Sequence, residues 1–167
     1  MAAKKALTIG DVSRNLRINP EQVWIIEPER DPRGRIKIYN PWERFPNRTG
    51  LLLNEFGEGP FCRFRIPGKF RTKSGVYLIV INGIVTFAGW CQDLVQRMNQ
   101  HYGTISPRKC YEGSEEENCL VNHRILDAAL AGRKIIIYML PGAGDDILDD
   151  IMARMRPSWN EELYGSE

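Results

Sequence analysis

The sequence predicts an α+β fold: a small, mainly antiparallel sheet of three strands flanked by helices. Three observations predict it. Residues 75–81 and 84–88 are β-branched and aromatic runs joined by Asn82-Gly83, the dipeptide that best tolerates the positive φ angles of a tight hairpin turn. The period then changes, with Leu94, Val95, Met98 and Tyr102 forming an apolar helical stripe while Asp93, Arg97 and His101 recur at i, i+4 and i+8 on another face. Finally, Lys134 to Leu140 reads as a buried strand beside the hairpin, and Asp145 to Met155 as an amphipathic helix stopped by Pro157.

The remaining elements are weaker. Thr8 to Leu16 reads as a short helix with Thr8 or Asp11 near its start. Gln22 to Ile26 looks like a strand, followed by a Pro- and Arg-rich loop and a second strand at Arg35 to Tyr39. Residues 40–60 are rich in Pro, Asn and Gly and read as loop, with the short apolar piece Leu51-Leu52-Leu53. A polar segment, 103–118, leads into a helix from about Leu120 to Leu130, and the acidic run Glu115-Glu116-Glu117 ahead of it suits the positive end of a helix dipole.

Composition narrows the class. A chain of 167 residues, 43% hydrophobic and 26% charged, is large enough to bury a core without cross-links. The longest apolar run, Gly75 to Trp90, is broken by Asn82-Gly83, so no membrane span is expected. Met1 to Lys5 lack a following apolar segment, which argues against a secretory signal and for a cytoplasmic protein. Cys62, Cys91, Cys110 and Cys119 contain no Cys-x-x-Cys pair and read as reduced thiols. Cys110, Cys119, His101 and His123 are ligand types that zinc accepts, but their irregular spacing favours ordinary thiols and polar histidines.

The net charge of +2 conceals an asymmetry: residues 1–74 hold 15 Lys and Arg against 8 acids, whereas residues 75–167 hold 8 against 13. Lys and Arg neutralise phosphates and release counterions, so the basic half is a candidate polyanion surface. Arg63, Arg65, Lys69, Arg71 and Lys73 are separated only by aromatic, apolar and small residues and favour contact with double-stranded DNA. Arg30, Arg33, Arg35 and Lys37 are interleaved with acids and read equally well as a solvated loop.

Tyr77, Phe87 and Arg97 are spaced ten apart, on the two apolar runs and then on the polar helix. Gly75-Val76-Tyr77, Phe87-Ala88-Gly89, the segment Gly89 to Arg97 and the closing Pro157-Ser158-Trp159-Asn160 follow one another in an order that resembles the GIY-YIG nuclease family. His101, four residues after Arg97, and the inserted helix after Cys119 are most similar to its restriction-endonuclease-like branch. The resemblance covers about residues 60–160. It leaves residues 1–59 as a basic, DNA-contacting arm and 161–167 as an acidic tail.

Membership of that family implies a DNA endonuclease using one Mg²⁺ or Mn²⁺ per site. Tyr77 would orient the phosphate or help to activate water, Arg97 would stabilise charge developing on phosphorus, His101 would hydrogen-bond the phenol or phosphate, and Asn160 would brace the site. Phe87 and Gly89 would line it, with Phe87 standing where the family has a second tyrosine. Leu148 occupies the position of the expected metal-binding glutamate and offers no oxygen ligand. Asp149 is the candidate replacement if the helix register is slipped by one residue, and Asp150 is expected to pair with Arg154 instead. Two readings stay open: a cleaving enzyme, for which a homodimer would provide the two sites of a double-strand break, and a DNA-binding module that keeps the scaffold without efficient hydrolysis. A protein-interaction domain is a third, weaker one.

Overall fold

A computed structural model describes residues 7–48 and 50–165. In chain order its helices are α1 (Ile9–Leu16), α2 (Pro41–Arg44), α3 (Leu94–Gln96), α4 (Glu116–Leu130), α5 (Asp145–Met155) and α6 (Ser158–Tyr164), and its strands are β1 (Glu21–Ile25), β2 (Gly75–Ile81), β3 (Ile84–Cys91) and β4 (Ile135–Pro141). The chain divides into two compact units that interleave in sequence. One takes the residues up to 25, 69–94 and those from 134 onward, and the other takes 26–68 and 95–133.

The first unit is built on an antiparallel sheet of order β1-β4-β2-β3. Its hairpin turns at Asn82 (φ 47°) and Gly83 (φ 81°), the left-handed pair that a two-residue turn demands. Asn82 also anchors the entry to β4, because its amide oxygen accepts from Lys134 N at 2.8 Å while its own N–H donates to Lys134 O at 3.0 Å. Every residue of β2 is buried, as its unbroken apolar run requires of a central strand.

The sheet has four strands rather than the three expected. β1 pairs with the far edge of β4, with a bulge between Gln22 and Trp24. Only Val23 of β1 is even partly buried, so the segment carries no buried-face alternation that would have assigned it to the sheet. On one face of the sheet Val76, Leu78, Val80 and Leu140 pack with Val12 of α1 and Ile151 and Met155 of α5. Thr8 caps α1 in a capping box with Asp11, which orients the helix onto that core. Residues 7–25, read from sequence as part of a basic arm, therefore supply a helix and a strand to the sheet's own unit.

α5 spans the predicted residues, but the chain does not end its ordered structure there. Arg156 turns in the left-handed conformation (φ 46°), Pro157 occupies the next N-cap, and α6 follows through residues expected to begin an acidic tail. Proline stops one helix and suits the first turn of another. In the second unit α4 begins at Glu116, ahead of the expected Leu120, and so takes Glu116 and Glu117 into its first turn. Arg35 to Tyr39 forms isolated bridges, Arg30 with Ile36 and Tyr39 with Phe61, instead of a regular strand. The unit's apolar cluster joins Phe61, Ile105, Cys110 and Cys119, flanked by Tyr39, Trp42, Leu53 and Phe56. Among the described residues no helix is long and apolar enough to cross a membrane.

Candidate functional site

Tyr77 and Gly89 face each other across β2 and β3, and the tyrosine ring lies directly over the glycine. A Cβ at Gly89 would stand 2.3 Å from the Tyr77 Oη and 2.6 Å from its Cζ. Covering a cross-strand glycine with an aromatic ring restores the packing that the missing side chain would have given. The Phe87 ring sits beside it, with centroids 6.3 Å apart, and both side chains are buried. Since side chains alternate along a strand, Tyr77 lies on the sheet face opposite Val76, Leu78 and Val80, the face that α5 covers.

Asn160, on α6, closes the free edge of β3. Its Oδ1 accepts from Ala88 N and its Nδ2 donates to Ala88 O, both at 2.9 Å, so one buried amide stands in for a neighbouring strand. Leu148 packs against the cluster on the α5 face, and Asp149, about 100° around the helix, is exposed. Asp150 makes its ion pair with Arg154 at 3.3 Å, as the i, i+4 spacing predicts.

Arg97 and His101 belong to the second unit. The expected α-helix over residues 93–102 is α only at Leu94–Gln96; Arg97–Tyr102 continues as a π-helix, with Gly103 N donating to Met98 O at 2.6 Å. The wider turn resets the angular spacing of Arg97 and His101 from the one their i, i+4 separation implies. Arg97 Nη1 lies 3.8 Å from Glu117 Oε2, which also accepts from the Tyr102 hydroxyl at 2.9 Å. Lys109 Nζ ties down the end of the π-helix through the carbonyls of Gln100, His101 and Thr104.

The Nδ1 atom of His101 is buried and has no hydrogen-bond partner among the described residues. Burial, and next the nearby Arg97 guanidinium, hold its imidazole below the usual value, with Glu115 pulling the other way and Lys109 adding to the lowering. The folded state thus favours neutral His101. Its contribution to stability is complete above the unfolded value of about 6.5 and is lost as pH falls below that toward the lowered folded value. Replacing His101 with glutamine is expected to flatten the decline in Tm as pH falls from about 7 to below the unfolded value of about 6.5. Superimposable pH profiles for the two proteins would refute this.

The basic stretch divides between the units. Lys69 and Arg71, in the first, are exposed, with Lys69 5.1 Å from the Phe70 ring centre, while Lys73 is bound to Glu21 at 2.7 Å. Arg63 and Arg65, in the second, are exposed on an extended segment whose alternate residues Cys62, Phe64 and Ile66 are buried. Two residues missed from sequence hold this segment. Asn122 accepts from Cys62 N (2.9 Å) and donates to Cys62 O (2.8 Å), and Asn99 does the same at Ile66 (2.7 and 3.0 Å). A single asparagine at an apolar helix position carries no local pattern announcing such a clasp, although burial of Asn122 requires that its amide be satisfied.

Two of the residues weighed for zinc have other engagements. Cys119 Sγ donates to Lys109 O at 3.2 Å, and His123 Nδ1 donates to Pro60 O at 2.8 Å. None of the four cysteines forms a disulfide and all are buried, and burial pushes Cys62 up to about 12. Among the described residues no three of His, Cys, Asp or Glu form a metal-binding group. No protein-family model, no curated protein and no solved structure matches the chain.

Proposed function

We propose that this protein acts on DNA as a phosphodiester-cleaving endonuclease of the GIY-YIG type, using Mg²⁺ or Mn²⁺. The observation that carries the reading is the linkage of three motif segments in one unit: the Tyr77 ring fills the space over Gly89, and Asn160 clasps the backbone of the intervening Ala88. Each residue that the family resemblance singles out there has a structural task tied to the others. Arg97 brings a planar donor fork matched to phosphoryl oxygens. Leu148 does not fit a hard cation, whereas the exposed Asp149 carboxylate has the required oxygen donors and is the residue that would hold the metal.

The second reading, a DNA-binding module without efficient hydrolysis, is favoured by the packing of Leu148 into the apolar cluster. Purified protein incubated with supercoiled plasmid and Mg²⁺ or Mn²⁺ is expected to nick it, with no nicking in EDTA and loss of activity in Arg97→Ala. Intact plasmid with either metal, alongside retained DNA binding, would leave the second reading standing and remove the first.

A further inference from the structure

The segment Phe61 to Ile66 behaves as a strand although its partners on one side are not strands. Along that side the backbone N–H groups of Cys62, Phe64 and Ile66 donate in turn to Asn122, to the Gly103 carbonyl (3.2 Å) and to Asn99. Along the other, Phe61 exchanges both backbone bonds with Tyr39 at 3.0 Å, and the Arg63 carbonyl accepts from Glu29 N at 2.7 Å. Gly103 permits this approach, since a Cβ there would fall 2.2 Å from the Phe64 carbonyl. The segment is therefore fixed on both sides, and its period-two alternation puts Arg63 and Arg65 on its exposed face, about 6.6 Å apart along the chain. Arg63 is further steadied by the Tyr39 ring, 4.6 Å below its guanidinium.

Beside this ledge lies the hairpin of residues 29–37, joined to it at Glu29. Residues 27–37 and 63–65 together hold six cations against three acids. Of these acids, Asp31 is committed to its own turn: it accepts from the backbone N–H groups of Arg33 (2.8 Å) and Arg35 (3.0 Å) and pairs with Arg35 Nε at 3.0 Å. The excess of positive charge is thus carried on backbone held in a single conformation, the arrangement that lowers the ordering cost of gripping a polyanion.

We infer that this ledge is the phosphate grip for duplex DNA, with Arg63 and Arg65 contacting the backbone and Asn99 and Asn122 as the residues that position them. The inference rests on the proposed action on DNA and assigns where the substrate is held. Asn99 lies in the same π-helix as Arg97 and His101, so one rigid piece of backbone carries both the clasp of the grip and the guanidinium offered to the phosphate. The grip sets the register in which a phosphodiester meets Arg97.

The test is fluorescence anisotropy with a labelled 20-base-pair duplex and a single strand of equal length, titrated in EDTA across a salt series. For Arg63→Gln/Arg65→Gln the slope of log affinity against log salt is expected to fall by about 2, with affinity at low salt down roughly tenfold or more. Asn99→Ala keeps every charge and should lose affinity several-fold with little change in slope; if it fails to fold, the Arg63/Arg65 pair alone decides. An unchanged slope and affinity in Arg63→Gln/Arg65→Gln overturns the ledge, as does single-strand binding as tight as duplex binding. Absence of any wild-type binding overturns both the ledge and the proposed action on DNA, whereas binding without nicking under Mg²⁺ or Mn²⁺ removes the endonuclease and leaves the ledge.

Discussion

Gly89→Ala is expected to destabilise the protein by roughly 3 kcal/mol and to lower Tm by roughly 6–12 °C, the range that overpacking of a closed core gives in a chain of this size. The backbone at Gly89 needs no unusual φ, so the effect comes from space alone. The new methyl would meet the Tyr77 ring at three atoms between 2.3 and 2.9 Å. That ring has nowhere to move, being 1% exposed and backed by Phe87. A smaller residue at 77 should relieve the conflict: Gly89→Ala should cost much less in a Tyr77→Leu background than in wild type. Equal costs in the two backgrounds, or a Gly89→Ala protein within about 0.5 kcal/mol of wild type, would show that the ring does not fill this space.

Features that declare themselves through local chemistry were legible in the sequence. Asn82-Gly83 specifies its turn by its own φ preferences, and the helix start near Thr8 or Asp11 and the apolar stripe of α5 are likewise local. What escaped depends on partners distant in the chain. β1 belongs to the sheet only through β4, more than a hundred residues later, and its exposed residues carry no pattern that says so. The 61–66 segment shows its alternation of buried and exposed residues, but the amides that complete it come from helices at 99 and 122. The π-helix was hidden because an apolar stripe at 94, 95, 98 and 102 satisfies either winding, and the Arg97 to His101 relation changes with it.

The same distinction governs the candidate site. The tyrosine, glycine and asparagine could be picked out as residue types at family spacing. The reason for the glycine lies in the ring above it, and the asparagine gives its amide oxygen and an N–H to the backbone of Ala88. Leu148 was legible as a departure and, through its i, i+3 and i+7 spacing with Ile151 and Met155, as a core residue; the cluster it joins bears the second reading out.

Asp149→Ala is expected to reduce metal-dependent nicking by on the order of 10²-fold or more, since loss of even an outer-shell partner of a metal ligand costs 10–100-fold. Its DNA affinity in EDTA should be unchanged, because Asp149 is exposed and far in sequence from the arginines proposed to grip the duplex. Leu148→Glu should behave differently. The side chain at 148 packs against the apolar cluster that includes Val76, Leu78 and Val80, so a carboxylate placed there loses hydration among apolar neighbours and should destabilise by about 1–3 kcal/mol. Leu148→Ala, which loses packing but adds no charge, separates the two contributions. The glutamate can help catalysis only by leaving the cluster and turning to solvent, which would appear as a Tm above that of Leu148→Ala together with new nicking activity. If Leu148→Glu raises nicking many-fold while Asp149→Ala changes nothing, the metal belongs at position 148, and the natural chain, with leucine there, is a binder of DNA and not a cutter.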